Sequence, residues 1–376
     1  MTPAPPTEDA TRFLKQSCSL LEVFPHPLYR PNRFLSLLAL LSPRPRYVVA
    51  THSTSLAKRL HHHVATGWPE AIIAFEAGPG TGMSSYASEV QGIPLLMDDL
   101  QIAPIDDALR NAHDTRSRLY WRIRRKKTVL YLRTLTRLFD GSAAASAQER
   151  QRLIEAGCPP PFLAVIPNGV RLAHYKGHFG PREPDTLIFM GSVRFPPNNE
   201  GLAFFLEEIY PRILSRRNGV RLIVTGNTQG TRFDRWRSRS RVLFTGHLDD
   251  VRPTLARSQV SIVPIRSGGG TRLKVLESLA IGTPVVSTMK GAEGLDLVSG
   301  RDLLIADEPE SFASAVLRLL EDEKLRSLLA EHGRTAVKSL YDWSMIGPRF
   351  TQWVEDTALA SVRTRHRRWN APWGSR

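Results

Sequence analysis

Cysteine is scarce in this chain: Cys18 and Cys158 are the only two among 376 residues, and they form no C-x-x-C pair. That argues against a disulfide framework or a thiolate zinc site and suits a reducing compartment. Long apolar runs are also missing, since none reaches the roughly 18 residues of a spanning helix. The run 34–41 is too short and is followed by Pro43 and Pro45. The opening MTPAPPTEDATRFLKQ lacks the basic start and apolar core of a signal peptide. A cytoplasmic protein, soluble or peripheral at the inner face of a membrane, is the expectation. No solenoid-period repeat occurs, and the only biased tract is the Pro-rich start.

Acidic residues are absent from two stretches. One holds Arg116, Arg118, Arg122, Arg124, Arg125, Lys126, Lys127, Arg133 and Arg137; the other holds Arg363, Arg365, Arg367, Arg368 and Arg376. These fourteen cations nearly match the net charge of +15, so the basicity is local. The first stretch interleaves Leu119, Tyr120, Trp121, Ile123, Leu130, Tyr131 and Leu132. It reads either as a helix packed by one face or as a contact with an anionic membrane; nucleic acid is not expected.

What is present is ordinary globular composition, 41% hydrophobic and 23% charged, at a length for two domains. The second half alternates cleanly. Apolar runs at 186–190, 220–225, 242–244, 260–264, 284–287 and 303–305 read as buried parallel strands. Helical spacing falls at 200–214, 249–256, 271–281, 311–321 and 324–340. Less clearly, the first half offers strands at 19–23, 71–75, 94–97, 141–144 and 163–166. Its helices are expected at 33–41, 55–64, 83–91 and about 117–138. The Gly- and Pro-containing segment 176–184 reads as a linker. The expected domains are 1–182, 183–340, and a helix with a basic tail over 341–376 that returns to the first domain.

The segment PIRSGGGTRLKVLESLAIGTPVVSTMKGAEG, residues 264–294, carries the chemistry. Ser267, Gly268, Gly269 and Gly270 form a loop after a buried strand, and Thr271 opens a helix ending before Gly282. A glycine loop leading into a helix N-terminus presents free N–H groups and a positive dipole end, which suits phosphate. Arg272 and Lys274 in the first turn oppose that dipole, and a bound anion would account for them. Gly270, Lys274 and Glu277 share one stripe, with Leu273, Leu276 and Ala280 on another facing the core. Glu277, one turn behind the phosphate site, is placed to accept a ribose diol.

This segment resembles the donor-site signature of group 1 glycosyltransferases, the retaining family 4 with GT-B fold, in its glycine-rich GGGTRLK subgroup. VIPNGV at 165–170, FMGSVRFPPNNEG at 189–201, VTGNTQG at 224–230, TGHLDDVRPTLARSQVSIVPI at 245–265, LIADEPESFA at 304–313 and YDW at 341–343 are similar as well. The resemblance is strong after Val165 and weak before it. It implies an α/β protein of two Rossmann-like domains facing a cleft, an acceptor domain followed by a nucleotide-sugar donor domain. It implies that Glu277 binds ribose and that Ser267, Gly268, Gly269, Gly270, Thr271, Arg272 and Lys274 hold the diphosphate and sugar. Gly191 and Ser192, with Arg194 nearby, would lie under the phosphates; Asn227, Gly246 and His247 would flank the base. Retaining transfer to a glycan or lipid-linked acceptor is implied, with Arg272 and Lys274 stabilising the leaving group. No catalytic base can be assigned, and no metal or other cofactor is expected.

Two departures stand out. The carboxylate that many members carry eight residues before the ribose glutamate is Gly269 here, and Ser192 follows Gly191 where many members have arginine. The usual opening strand, glycine-rich loop and helix are also not found, so Met1 is expected not to be the natural start, or the chain to be a degenerate copy. A catalytically impaired sugar-nucleotide-binding relic is therefore the alternative function. A nucleic-acid binder and a sugar-nucleotide epimerase are further rivals.

Remaining candidates are Glu76, Asp98 and Asp99 on the acceptor side, and Lys290 and Glu293 on the donor side. The run His61–His63 reads as a solvated helix face rather than a metal site, because adjacent helical histidines point to different faces.

Overall fold

The computed structural model describes residues 8–24, 42, 44–46, 48, 53–75, 86, 90, 92–98, 100–158, 163–227, 233, 236 and 241–369. The chain divides into two compact units, Met1–Val165 with Thr351–Arg376, and Ile166–Phe350.

In the first unit the described elements are α1 (Glu8–Ser17), α2 (Thr54–Ala65), β1 (Ile72–Phe75), β2 (Leu95–Asp98), α3 (Ala103–Arg110), α4 (Thr115–Leu135), β3 (Gly141–Ala144), α5 (Ala147–Glu155) and β4 (Leu163–Val165). The four strands form one parallel sheet in chain order. Parallel strands covered on both faces need apolar side chains on both, and Leu95, Leu96, Met97, Ala143 and Ala144 are buried accordingly. Asp114 caps α4 by accepting from Ser117 N at 2.8 Å, and Ser146 caps α5 by accepting from Glu149 N at 3.1 Å.

The strand expected at 19–23 is not formed. Leu20 and Val23 are exposed, and Glu22 between them accepts from Arg59 Nε of α2 at 2.8 Å. An ion pair to a helix takes the place of a ladder. The helices expected at 33–41 and 83–91 lie largely outside the described residues.

In the second unit a 3₁₀ turn (Leu172–Tyr175) precedes β5 (Thr186–Phe189), α6 (Pro196–Phe204), a π turn (Phe205–Ile209), α7 (Tyr210–Arg216), β6 (Arg221–Thr225), β7 (Val242–Gly246), α8 (Arg252–Arg257) and β8 (Val260–Val263). Then come α9 (Leu273–Ile281), β9 (Val285–Ser287), β10 (Leu304–Ile305), α10 (Pro309–Glu321) and α11 (Glu323–Leu340). The last helix, α12 (Trp343–Trp369), starts in this unit and ends in the first. All six strands are parallel, in the order β10-β9-β8-β5-β6-β7.

The single helix expected at 200–214 is interrupted by the π turn, where Tyr210 N reaches back to Phe205 O. Pro211 follows immediately. It supplies no N–H, and its ring would crowd the carbonyl four residues back, which the wider turn relieves. The helix expected at 249–256 begins at Arg252, because Asp250 accepts from Arg252 N at 2.9 Å. Gly282 ends α9 at φ 88°, a left-handed cap that glycine adopts without strain.

The unit boundaries fall at 165/166 and 350/351. Residues after Val165 are tied to the second unit: Val170 N donates to Tyr341 O at 2.9 Å, and Trp343 N donates back to Val170 O at 3.1 Å. Leu172 packs with Val275, Leu276 and Leu279. The far part of α12 belongs to the first unit. Thr357 packs on Gly141, and Ser361 Oγ donates to Asp140 Oδ1 at 2.7 Å.

Candidate functional site

β5 has β6 on one side and β8 on the other, so the chain leaves the neighbouring ends of β5 and β8 in opposite directions. Open parallel sheets bind ligands at such a switch point, beyond the carboxyl ends of the strands. The turn Gly191–Ser192 follows β5 there, and the glycine loop 266–272 follows β8.

Three groups converge at this place. Lys274, second residue of α9, donates from Nζ to Asn198 Oδ1 at 2.7 Å. Asn198, in the first turn of α6 and buried, donates from Nδ2 to Ser192 O at 2.9 Å. Gly191 sits against both, at φ 121°. A Cβ there would lie 2.7 Å from Asn198 Nδ2 and 3.1 Å from Lys274 Nζ. Gly226, after β6 at φ 95°, closes on the same turn; its Cβ would meet the Gly191 carbonyl carbon at 2.7 Å and Ser192 N at 2.8 Å. Backbone atoms cannot step aside as a flexible side chain can, so the approach of the two turns requires glycine at 226, while at 191 the φ of 121° favours glycine.

Lys274 Nζ also lies 5.2 Å from the centre of the Phe189 ring. Burial pushes its pKa down from the ordinary lysine value to about 7; Arg272 adds repulsion and Glu277 opposes it. The ammonium is thus held at some electrostatic cost, which a bound anion would offset.

Arg272 differs from its expected place in the first turn. It is the N-cap of α9, offers no side-chain cap bond, and is buried. Its guanidinium turns back into the loop, donating to Gly268 O and, at 3.4 Å, to Gly269 O. A guanidinium that cannot reach solvent takes the nearest carbonyls. Leu273 also departs from expectation: it is exposed, and the buried face of α9 is made by Val275, Leu276, Leu279 and Ala280.

Glu277 accepts from Tyr175 Oη at 3.2 Å. Burial pushes its pKa up, while Tyr175 and Lys274 pull the other way. Thr271 accepts from Asn168 Nδ2 at 3.0 Å, and Ser267 Oγ donates to Glu200 Oε2 at 2.5 Å. Asn198, Tyr175 and Asn168 were not among the residues singled out from the sequence. The first stands in the quoted stretch FMGSVRFPPNNEG and the third in VIPNGV, but nothing in either stretch says what its side chain meets.

The other expected donor residues are scattered around this centre. Ser192 and Arg194 are exposed. Asn227 O accepts from Val193 N at 3.0 Å, and Gly246 O accepts from Gly226 N at 2.7 Å, so both act through backbone on the same turns. His247 is exposed, 3.9 Å from Asp249. Lys290 pairs with Glu293 across the short turn after β9. In the first unit Asp98 ends β2, while Glu76 and Asp99 lie outside the described residues. His63 stands 3.4 Å from Glu22, and among the described residues no group of three His, Cys, Asp or Glu is gathered as for a metal.

Two parallel sheets with their helices are the fold of the GT-B glycosyltransferases. Residues 184–322 match the family model described as Glycosyl transferases group 1. Phosphatidyl-myo-inositol mannosyltransferase of Mycolicibacterium smegmatis is 26% identical over 213 residues, 53% of this chain and 53% of that protein. The chain spans about half the length of such curated relatives. Among solved structures, sucrose-phosphate synthase from Thermosynechococcus elongatus superposes with TM-score 0.64 at 17% identity, covering 88% of this chain and 81% of that one. Anabaena HepE in complex with UDP and glucose gives 0.61 at 15% identity, covering 92% and 88%.

Proposed function

We propose that this protein transfers a sugar from a nucleoside-diphosphate sugar to a glycan or lipid-linked acceptor, with retention, in the synthesis of a surface polysaccharide or glycoconjugate. The observation that carries this reading is the half-buried Lys274 ammonium, held at the switch point between a glycine turn and a glycine loop. An isolated cation there is costly, and a diphosphate would offset the cost. In this reading Lys274, the loop amides of Ser267–Thr271 and the Gly191–Ser192 turn take the charge that grows on the leaving diphosphate. Glu277, aimed by Tyr175, takes the ribose. Arg272 joins when an anion draws it away from the carbonyls of Gly268 and Gly269. Arg194, Asn227, Gly246 and His247 remain the proposed surroundings of phosphate and base; Asp98, with Glu76 and Asp99, remains on the acceptor side.

The transfer is taken to need no metal, so a chelator should leave the rate unchanged. The activities of relatives favour the reading: one is named a phosphatidyl-myo-inositol mannosyltransferase, and another a lipopolysaccharide core biosynthesis glycosyltransferase of Rhizobium meliloti. Peripheral contact with an anionic membrane at the cytoplasmic face, through α4, belongs to the same proposal. Among the described residues no helix is long and apolar enough to cross a membrane.

A thermal-shift panel of nucleotide sugars tests the donor site. A ligand at a hundredfold excess over its Kd stabilises by about 2.7 kcal/mol, and Lys274→Ala or Glu277→Ala should abolish that shift. No shift with any nucleotide sugar would overturn the donor assignment. Binding without transfer or hydrolysis would favour the relic reading.

A further inference from the structure

Asn198 does more than start a helix. Its amide has two ends, and both are engaged: Nδ2 donates to Ser192 O at 2.9 Å and Oδ1 accepts from Lys274 Nζ at 2.7 Å. The orientation is forced, because a flipped amide would aim NH₂ at an ammonium and oxygen at a carbonyl oxygen. The residue is buried, and Gly191 packs close to it: a Cβ there would lie 2.7 Å from Asn198 Nδ2 and 3.1 Å from Lys274 Nζ. Aspartate would set one oxygen against Ser192 O and neutralise the lysine with the other. Alanine would leave both partners without their bond. Asparagine satisfies a carbonyl and an ammonium together while adding no charge.

We propose that Asn198 is a positioning residue of the anion site, an uncharged tether that fixes the Lys274 ammonium over the Gly191–Ser192 turn and leaves its positive charge for the ligand. The proposal rests on the donor-site reading above. One of the three Nζ donors is used by the tether, and two remain for ligand oxygens. The charged groups acting on Lys274 are Arg272 and Glu277, both within its own loop and helix. From β5, its turn and α6 the neighbours are Phe189, Gly191, Ser192 and Asn198, none of them charged. A lysine poised near neutral pH is one whose protonation a single hydrogen-bond acceptor can tip.

The test uses the full chain with isotopically labelled lysine, following the Lys274 side-chain signal against pH, and inorganic pyrophosphate as probe. Asn198→Asp should raise the titration midpoint by about one unit or more, as an opposite charge at this distance does. It should also weaken pyrophosphate binding at least tenfold. Asn198→Ala should lower the midpoint and weaken binding non-additively with Lys274→Ala, the double variant being no worse than Lys274→Ala alone. A purely structural asparagine would alter the unfolding temperature and leave the midpoint in place. An unmoved midpoint in Asn198→Asp, or strict additivity in the cycle, overturns the proposal. If the unsubstituted chain fails to bind pyrophosphate, the donor-site reading falls, and the midpoints still decide whether the tether exists.

Discussion

Lys274 and Glu277 lie three residues apart on α9, and burial pushes each toward its neutral form. Their expected roles are separable by ligand. Glu277→Gln keeps an acceptor for Tyr175 but loses the carboxylate, so a nucleoside diphosphate should bind about 10–100-fold more weakly, the size of a charge-assisted hydrogen bond. Inorganic pyrophosphate, having no ribose, should bind nearly unchanged by calorimetry. The pH trends should oppose one another. With the folded pKa of Lys274 lowered to about 7, the unfolded chain holds that proton up to roughly 10. Between those values the unfolded state binds more protons, so this group makes the unliganded fold more stable as pH rises. Anion binding needs the proton, so pyrophosphate affinity should fall across the same window once the ligand's own titration is subtracted. Denaturant unfolding and calorimetry at matched pH check the pair; affinity rising above pH 7 would remove Lys274 from the site. Which residues form the loop was legible in the sequence, because a glycine triplet after an apolar strand is a local signal. The partners were not. Asn198 is 76 positions from Lys274 and Tyr175 is 102 from Glu277, and only the folded second unit brings them together. Arg272 was misplaced for a related reason: its cost of burial is invisible in a linear pattern.

Among elements, α12 has the least obvious task. Trp353, Thr357 and Ser361, four apart, are its buried stripe in the first unit. Asp140 links that stripe to the sheet, since its other oxygen accepts from Leu95 N at 2.8 Å. Ser361→Ala should therefore cost about 1 kcal/mol. A chain ending at Phe350 should lose hydrogen-exchange protection in β2 and β3 while β5, β6 and β8 keep theirs. Unchanged protection of β3 would refute this account of α12. The strands of the second unit were readable because each is a short apolar run ending in a turn residue. The apolar letters at 19–23 misled because a strand needs a neighbour, and Glu22 had already found Arg59. The π turn also escaped the periodicity, for a 3.6-residue repeat carries no trace of one inserted residue until Pro211 demands it.

For the molecule as a whole, charge and apolar surface coincide on α4. Leu119, Tyr120, Ile123 and Leu130 are exposed, with Arg124 stacked 4.7 Å over Trp121. Vesicles containing anionic lipid should sediment the chain, and neutral vesicles should not. Raised salt should release it, since a basic surface is screened within about 8–10 Å. Leu119→Glu with Ile123→Glu should cut the bound fraction severalfold without changing pyrophosphate affinity. Equal binding to neutral vesicles would dismiss the electrostatic part of this reading.

The second unit is a single uninterrupted insert whose two ends meet at Val170 and Tyr341, and that fixes an order of events during synthesis. Residues of the first unit leave the ribosome before the insert, yet the helical turns that cover Gly141 and Asp140 are translated after it. At roughly 5–20 residues per second, the intervening stretch of about 185 residues imposes a delay on the order of 10–40 s. Through that interval the insert is being made, while the earlier-made sheet waits for its last layer.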